Sequence, residues 1–259
     1  MKLEHWREYL IEAWGLGIFM IMAGVFATLL YSPKSIVSQM ISNDLLQRLL
    51  MGIATGVTAI IIIYSPWGKR SGAHINPAVT ITFWRLQKIS SLDAIAYIVA
   101  QFIGGVSGVF LVRLVLGSPF TSPPISYAVT IPGHLGLFPA LVVEFLLSFF
   151  LMFMVLITSN HYRLSRYTGV FAGTLVATFV AFEAPMWGTS INPARTFATA
   201  LAAQIWDGFW IYYFAPPLAM LTAAELYLHY PKKPKVICCK LCPNHEQDCI
   251  AINCCATVL

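Results

Sequence analysis

The stretches GAHINPAVT (residues 72–80) and GTSINPART (188–196) both contain Ile-Asn-Pro-Ala, each between long apolar runs. A short run with helical character follows each, PAVTITFWRL (77–86) and PARTFATALA (193–202). Ten residues rise about 15 Å as a helix, half of a hydrocarbon core of roughly 30 Å. Asn is a favoured helix N-cap, and Pro suits the first helical position, where its missing N–H costs nothing. The pattern predicts two half-helices, begun by Asn76-Pro77-Ala78 and Asn192-Pro193-Ala194, that enter from opposite faces of a membrane and meet near its middle. Each Asn oxygen then caps free backbone N–H groups, each amide NH2 donates into a lumen, and each half-helix brings about +0.5 charge to the meeting point. The loops before them, 72–75 and 188–191, put non-helical backbone at membrane depth. That is tolerated only against protein or a water-filled cavity, so their carbonyls are expected to line a pore.

Composition agrees with a membrane setting. The chain has 259 residues, 58% hydrophobic and 10% charged, with mean hydropathy +0.73; soluble domains carry roughly 25% charge. Six spans are expected, near 10–31, 45–65, 92–115, 138–159, 166–185 and 208–229. The net charge of +5 is dispersed around apolar segments, which argues against a nucleic-acid partner. With the N-terminus inside, Lys2, Arg7, Lys69, Arg70, Arg85, Lys88, Arg163, Arg166, Lys232, Lys233, Lys235 and Lys240 are all cytoplasmic, as the positive-inside bias requires. Both termini are then cytoplasmic, and GSPFTSPPISYAVTIPGHLG (117–136) is an external loop. The N-terminal segment lacks a cleavage site and reads as no removable signal peptide.

One Asn-Pro-Ala alone is an ordinary capped helix, but two copies in matching surroundings are not. Glu12 and Glu144 occupy the first span of each half, and Gln101 lies as far beyond Asn76 as Pro217 lies beyond Asn192. AQFIGGVSGVFL (100–111) echoes APPLAMLTAAEL (215–226). Three spans per half is an odd number, so the second half is inverted. The domain reading is a channel unit over 1–230, with repeats about 8–116 and 138–230, and a tail over 231–259.

SGAHINPAVT (71–80) together with SINPART (190–196) resembles the major intrinsic protein family of aquaporins and aquaglyceroporins, over about residues 8–230. The resemblance implies an all-α membrane protein of six transmembrane helices plus two re-entrant half-helices in an inverted 3+3 repeat. It implies one pore per subunit, a homotetramer, and Asn76 and Asn192 donating to permeating solute. Charge inside a span is costly and usually functional. Glu12 and Glu144 read either as a proton relay or as acceptors bracing the re-entrant loops, and the family pattern supports bracing.

The resemblance also implies a narrow filter toward the external side. Arg195 matches its arginine, which donates to solute oxygens and repels cations and protons. The other positions fall on Thr189, Val180 and either Thr55 or Gly56, the last two differing by one residue of loop length. Water-selective members tend to carry histidine where Val180 stands, and no large aromatic stands at Thr55 or Gly56. That implies a wider, less polar filter. Thr196 and Tyr212-Tyr213 instead resemble water channels. A side chain of the 117–136 loop, or Trp187, is available to refill the gap. The combined expectation is a passive plasma-membrane channel for water with small neutral solutes. The alternatives are a facilitator of glycerol, urea, ammonia or metalloid hydroxide, and a channel regulated by metal or redox chemistry at its tail. His74 is expected to line the cytoplasmic vestibule.

All six cysteines lie late in the chain, unlike a disulfide scaffold. Cys238, Cys239, Cys242, His245, Cys249, Cys254 and Cys255 carry a Cys-x-x-Cys spacing suited to zinc or another soft metal. The competing readings are reduced thiols and palmitoylation. No cofactor is required for a pore. No nucleophile–base pair or phosphate loop suggests an enzyme, and no second cluster of intramembrane charge suggests a coupled transporter.

Overall fold

The computed structural model describes residues 5–229, 236–241 and 250. Eight helices organise them: α1 Trp6–Tyr31, α2 Asp44–Tyr64, α3 Pro77–Arg85, α4 Ser91–Leu116, α5 Leu137–Ser159, α6 Thr168–Phe182, α7 Pro193–Ala203 and α8 Phe209–Leu228. The long helices are α1, α2, α4, α5, α6 and α8, matching the six expected spans, and α3 and α7 are the two half-helices. Four of them, α1, α2, α4 and α5, are long and apolar enough to cross a membrane by length and composition. Helix α6 has only 15 residues, about 22 Å of rise. A 3-10 turn, Ser165–Tyr167, precedes it and a short helix, Ala184–Trp187, follows it. The span expected at 166–185 is therefore broken near its end, where Pro185 has no N–H to continue the helical ladder.

Local chemistry starts the helices where the chain needs them. The Asn43 side chain accepts from the Leu46 N–H at 3.0 Å to open α2, and the Ser90 hydroxyl accepts from the Asp93 N–H at 3.1 Å to open α4. These are N-cap bonds to the third residue.

The packing repeats. Helix α1 lies along α4 in the first half as α5 lies along α8 in the second, and α2 pairs with α6 between the halves. Each half-helix packs on the last helix of the opposite repeat, α3 on α8 and α7 on α4. In lipid, helices associate through close contact rather than through a hydrophobic drive, so small residues hold the seams. A Cβ on Gly104 would lie 2.0 Å from the Ala13 carbonyl oxygen, and one on Gly56 would lie 2.5 Å from that of Gly173.

The outer surface is apolar. Ile53, Val57 and Ile61 form an exposed stripe along α2, and Ile95, Val99 and Ile103 form one along α4. Spacing by four keeps each stripe on one helix face. An apolar surface this continuous fits acyl chains, not water. Ion pairs gather at the end of the bundle where α1 begins and α8 ends: Arg70 with Glu8 and Arg85 with Glu225, both at 2.7 Å.

Gly104→Val is expected to force α1 from α4 and cost about 1–3 kcal/mol, whereas Ile103→Val on the exposed face is near neutral. Thermal midpoints in detergent check this. Equal midpoints for the two variants would contradict the close seam.

Candidate functional site

The half-helices meet through their caps. The Asn76 Oδ1 accepts from the Ala78 N–H at 2.9 Å. The Asn192 Oδ1 accepts from the N–H groups of Ala194 at 3.1 Å and Arg195 at 3.3 Å. The amide nitrogens then cross between the repeats. Asn76 Nδ2 donates to the Ile191 carbonyl at 2.7 Å, and Asn192 Nδ2 donates to the Ile75 carbonyl at 2.8 Å. An amide NH2 has two N–H bonds. One of each pair ties the repeats together, so the lumen receives one donor per Asn rather than the whole amino group.

The two isoleucines are held from the other end as well. Ile75 and Ile191 adopt φ of 41° and 54°. This left-handed region is costly for β-branched side chains and persists only where the surroundings enforce it. Glu12 supplies the enforcement in the first repeat: its carboxylate accepts from the N–H groups of His74 at 3.0 Å and Ile75 at 2.6 Å, from the Ser71 hydroxyl at 2.8 Å and from Gln101 Nε2 at 2.8 Å. Glu144 accepts from the N–H groups of Ser190 at 3.0 Å and Ile191. Both carboxylates are buried, and each accepts two backbone N–H groups of its own loop.

A cavity of about 100 Å³ passes the Asn pair, room for a short file of water molecules. Val180, Thr189 and Arg195 line it together, with both asparagines and His74. Thr55 is not part of the wall. It shares a helix face with Ala59 and Ile63, which are, but its hydroxyl turns back to the carbonyls of Met51 at 2.9 Å and Gly52 at 3.0 Å. Gly56 faces α6 instead, packed on the Gly173 carbonyl. Aromatic surface comes from positions the motif spacing does not reach: Phe19 on α1 and Phe179 on α6 line the same cavity. Arg195 is anchored by Nη1, which donates to the Thr130 hydroxyl and to the Thr189 carbonyl at 3.3 Å. Thr130 belongs to the 117–136 loop and is buried. The carbonyl of Trp187, the other candidate for filling the gap, accepts from the Tyr212 hydroxyl at 2.6 Å. The Thr189 hydroxyl is buried with no hydrogen-bond partner among the described residues.

Comparison with known proteins agrees with this geometry. The chain matches the Major intrinsic protein family over residues 1–227. The chain belongs to the major intrinsic protein family. Among curated relatives, nodulin-26 of Glycine max is 30% identical over 187 residues, covering 71% of this chain and 67% of that protein. Aquaporin NIP6-1 of Arabidopsis thaliana is 34% identical over 197 residues, covering 76% of this chain and 62% of that protein. The chain thus spans about two thirds or less of these relatives' length. Among solved structures, the aquaglyceroporin from Plasmodium falciparum superposes with a TM-score of 0.67 at 19% identity, covering 86% of this chain and 96% of that one. The fold is the inverted 3+3 helical repeat of the family, and the chain is a multi-pass membrane protein.

The Cys-rich tail of this family member is described in part. Cys238 and Cys239 are both buried against the bundle. Cys242, His245, Cys249, Cys254 and Cys255 lie outside the described residues. Among the described residues no group of three or more His, Cys, Asp or Glu side chains is placed to hold a metal ion. His74 is part of the cavity wall and is buried between Phe83, stacked at 5.1 Å, and Tyr97, edge-on at 5.3 Å.

Glu144→Gln keeps the shape but accepts poorly at one oxygen position, leaving one buried N–H of Ser190 or Ile191 without a partner. The expected cost is about 1–3 kcal/mol, on the order of 5 °C in thermal midpoint. Scanning the purified variant in detergent measures it; an unchanged midpoint would mean that the carboxylate does not brace the loop.

Proposed function

We propose that the chain is a passive pore for water and small neutral solutes that excludes ions and protons. The observation that carries this reading is the crossed Asn pair. The two strained loops place both asparagines in the wall of one narrow cavity. Both half-helix N-termini point at the Asn pair, so their dipoles disfavour a cation there. A water molecule accepting from both amides presents its own hydrogens outward, which interrupts a continuous proton chain through the file. Arg195, Thr189 and Val180 form the external constriction. The guanidinium Nε and Nη2 are the groups available to a passing solute oxygen. The naming of plant relatives as aquaporins supports water as a permeant.

Glycerol-sized solutes remain the second reading, supported by the small apolar Val180 and by the absence of an aromatic at Thr55. Phe19 and Phe179 restore part of the missing bulk. The sided distribution of Lys and Arg supports cytoplasmic termini in a plasma membrane. The family resemblance supports a homotetramer in the bilayer.

The test is stopped-flow light scattering of liposomes holding the full chain, once with an impermeant osmolyte and once with a glycerol gradient. Water flux above that of protein-free vesicles, linear in the gradient, is expected. Val180→His should lower glycerol flux relative to water flux by about tenfold, the discrimination typical of a small steric and polar change in a pocket. Saturable or uphill uptake would refute a pore.

A further inference from the structure

The mouth of the cavity on the side where α1 begins and α8 ends is occupied by the chain itself. Residues 236–241 lie in it. The Leu241 N–H donates to the Gly72 carbonyl at 3.1 Å. The Cys239 carbonyl lies 2.8 Å from His74 Nε2. A carbonyl has no proton to give, so Nε2 is the protonated nitrogen and Nδ1, 3.1 Å from the Thr80 hydroxyl, is the acceptor. The far end of the segment is pinned by the Ile237 N–H, which donates to Asn160 Oδ1 at 2.6 Å. Leu241 forms part of the cavity wall together with His74 and both asparagines. Cys239 and Lys240 are fully enclosed, and Leu241 is 5% exposed.

From these contacts we infer that residues 236–241 are an autoinhibitory plug. Its backbone takes the first carbonyl of the pore loop and the exit-facing donor of His74, the two groups a water molecule entering from this side would meet first. Leu241 adds an apolar side chain at the same point. The inference rests on the pore reading above. Six residues, 230–235, join the segment to the end of α8 region at His229. A short tether of this kind keeps the plug at an effective concentration on the order of millimolar, so a few hydrogen bonds and one buried leucine suffice to seat it. The same contacts are few enough to release as one unit. Because the Cys239 sulfur has no solvent-facing surface when docked, its reactivity reports release.

The test uses the full chain in liposomes with two substitutions on opposite sides of the contact. Leu241→Asp places a carboxylate in an apolar mouth, and Asn160→Ala removes the acceptor for Ile237. Two readouts are taken: osmotic water permeability, and the rate at which a maleimide alkylates Cys239, followed by peptide mass spectrometry. Both substitutions should raise permeability. Leu241→Asp should speed alkylation of Cys239 by about tenfold or more, since burying an unpaired charge is strongly disfavoured. Equal, high permeability in all three chains would overturn the plug and leave the pore reading standing. Rapid alkylation of Cys239 in the unaltered chain would also overturn it. Fast alkylation in Leu241→Asp with no water flux in any chain would overturn the plug as the barrier and, separately, the pore reading.

Discussion

The structure depends on a reciprocal pair of hydrogen bonds between the repeats, Asn76 to the Ile191 carbonyl and Asn192 to the Ile75 carbonyl. Each isoleucine is thereby gripped at both ends. Its N–H goes to a glutamate of its own repeat and its carbonyl to an asparagine of the other. A left-handed isoleucine costs energy locally, and neither grip alone fixes the peptide plane. Together they hold the two loops in the pose that places both asparagines in the cavity wall. Removing a glutamate therefore acts on the pore through the backbone, although neither Glu12 nor Glu144 is part of the cavity wall.

This arrangement explains the demand for close helix seams. The half-helices reach each other only if the surrounding helices hold α3 and α7 end to end, and each half-helix leans on the last helix of the opposite repeat. A spread of even one methyl group at Gly104 or Gly56 moves those supports. The lipid-facing stripes contribute little to this precision, since acyl chains accept any apolar side chain. The repeat is thus specified at its seams and at its midpoint, and is loosely specified on its outer surface.

Much of this was legible in the sequence. The paired INPA segments, the six apolar runs and the two intramembrane glutamates follow from spacing, capping chemistry and the expense of buried charge. Three features were not. Spacing along one helix cannot tell Thr55 from Gly56, because the answer is which face meets α6, and that depends on the Gly173 contact far away in sequence. Phe19 reaches the cavity from α1, whose motif-bearing residue is Glu12, two turns earlier. Thr130 sits in a loop without periodicity, and only the Arg195 guanidinium nearby gives it meaning. In each case the missing information is a long-range contact rather than a local preference. The tail was legible only as a cysteine-rich composition. Its docking through backbone groups of residues 237, 239 and 241 has no side-chain signature.

The two repeats diverge where they meet the outside, and the divergence accounts for why one mouth takes a plug. Two residues before the central asparagine, the second repeat has Ser190, whose hydroxyl bonds to the Thr196 hydroxyl and to the Asn192 carbonyl. That short side chain is satisfied within its own turn. The first repeat has His74 at the same place, bonded by Nδ1 to Thr80, the counterpart of Thr196. An imidazole is longer and carries a second nitrogen on its opposite edge, so satisfying one nitrogen internally directs the other toward the mouth. Phe83 and Tyr97 fix the ring in that pose. The donor this leaves needs an acceptor whenever water is excluded, and the Cys239 carbonyl supplies it. The inverted repeat therefore makes two equivalent loops, and one substitution within that equivalence turns a self-contained rim into a docking point.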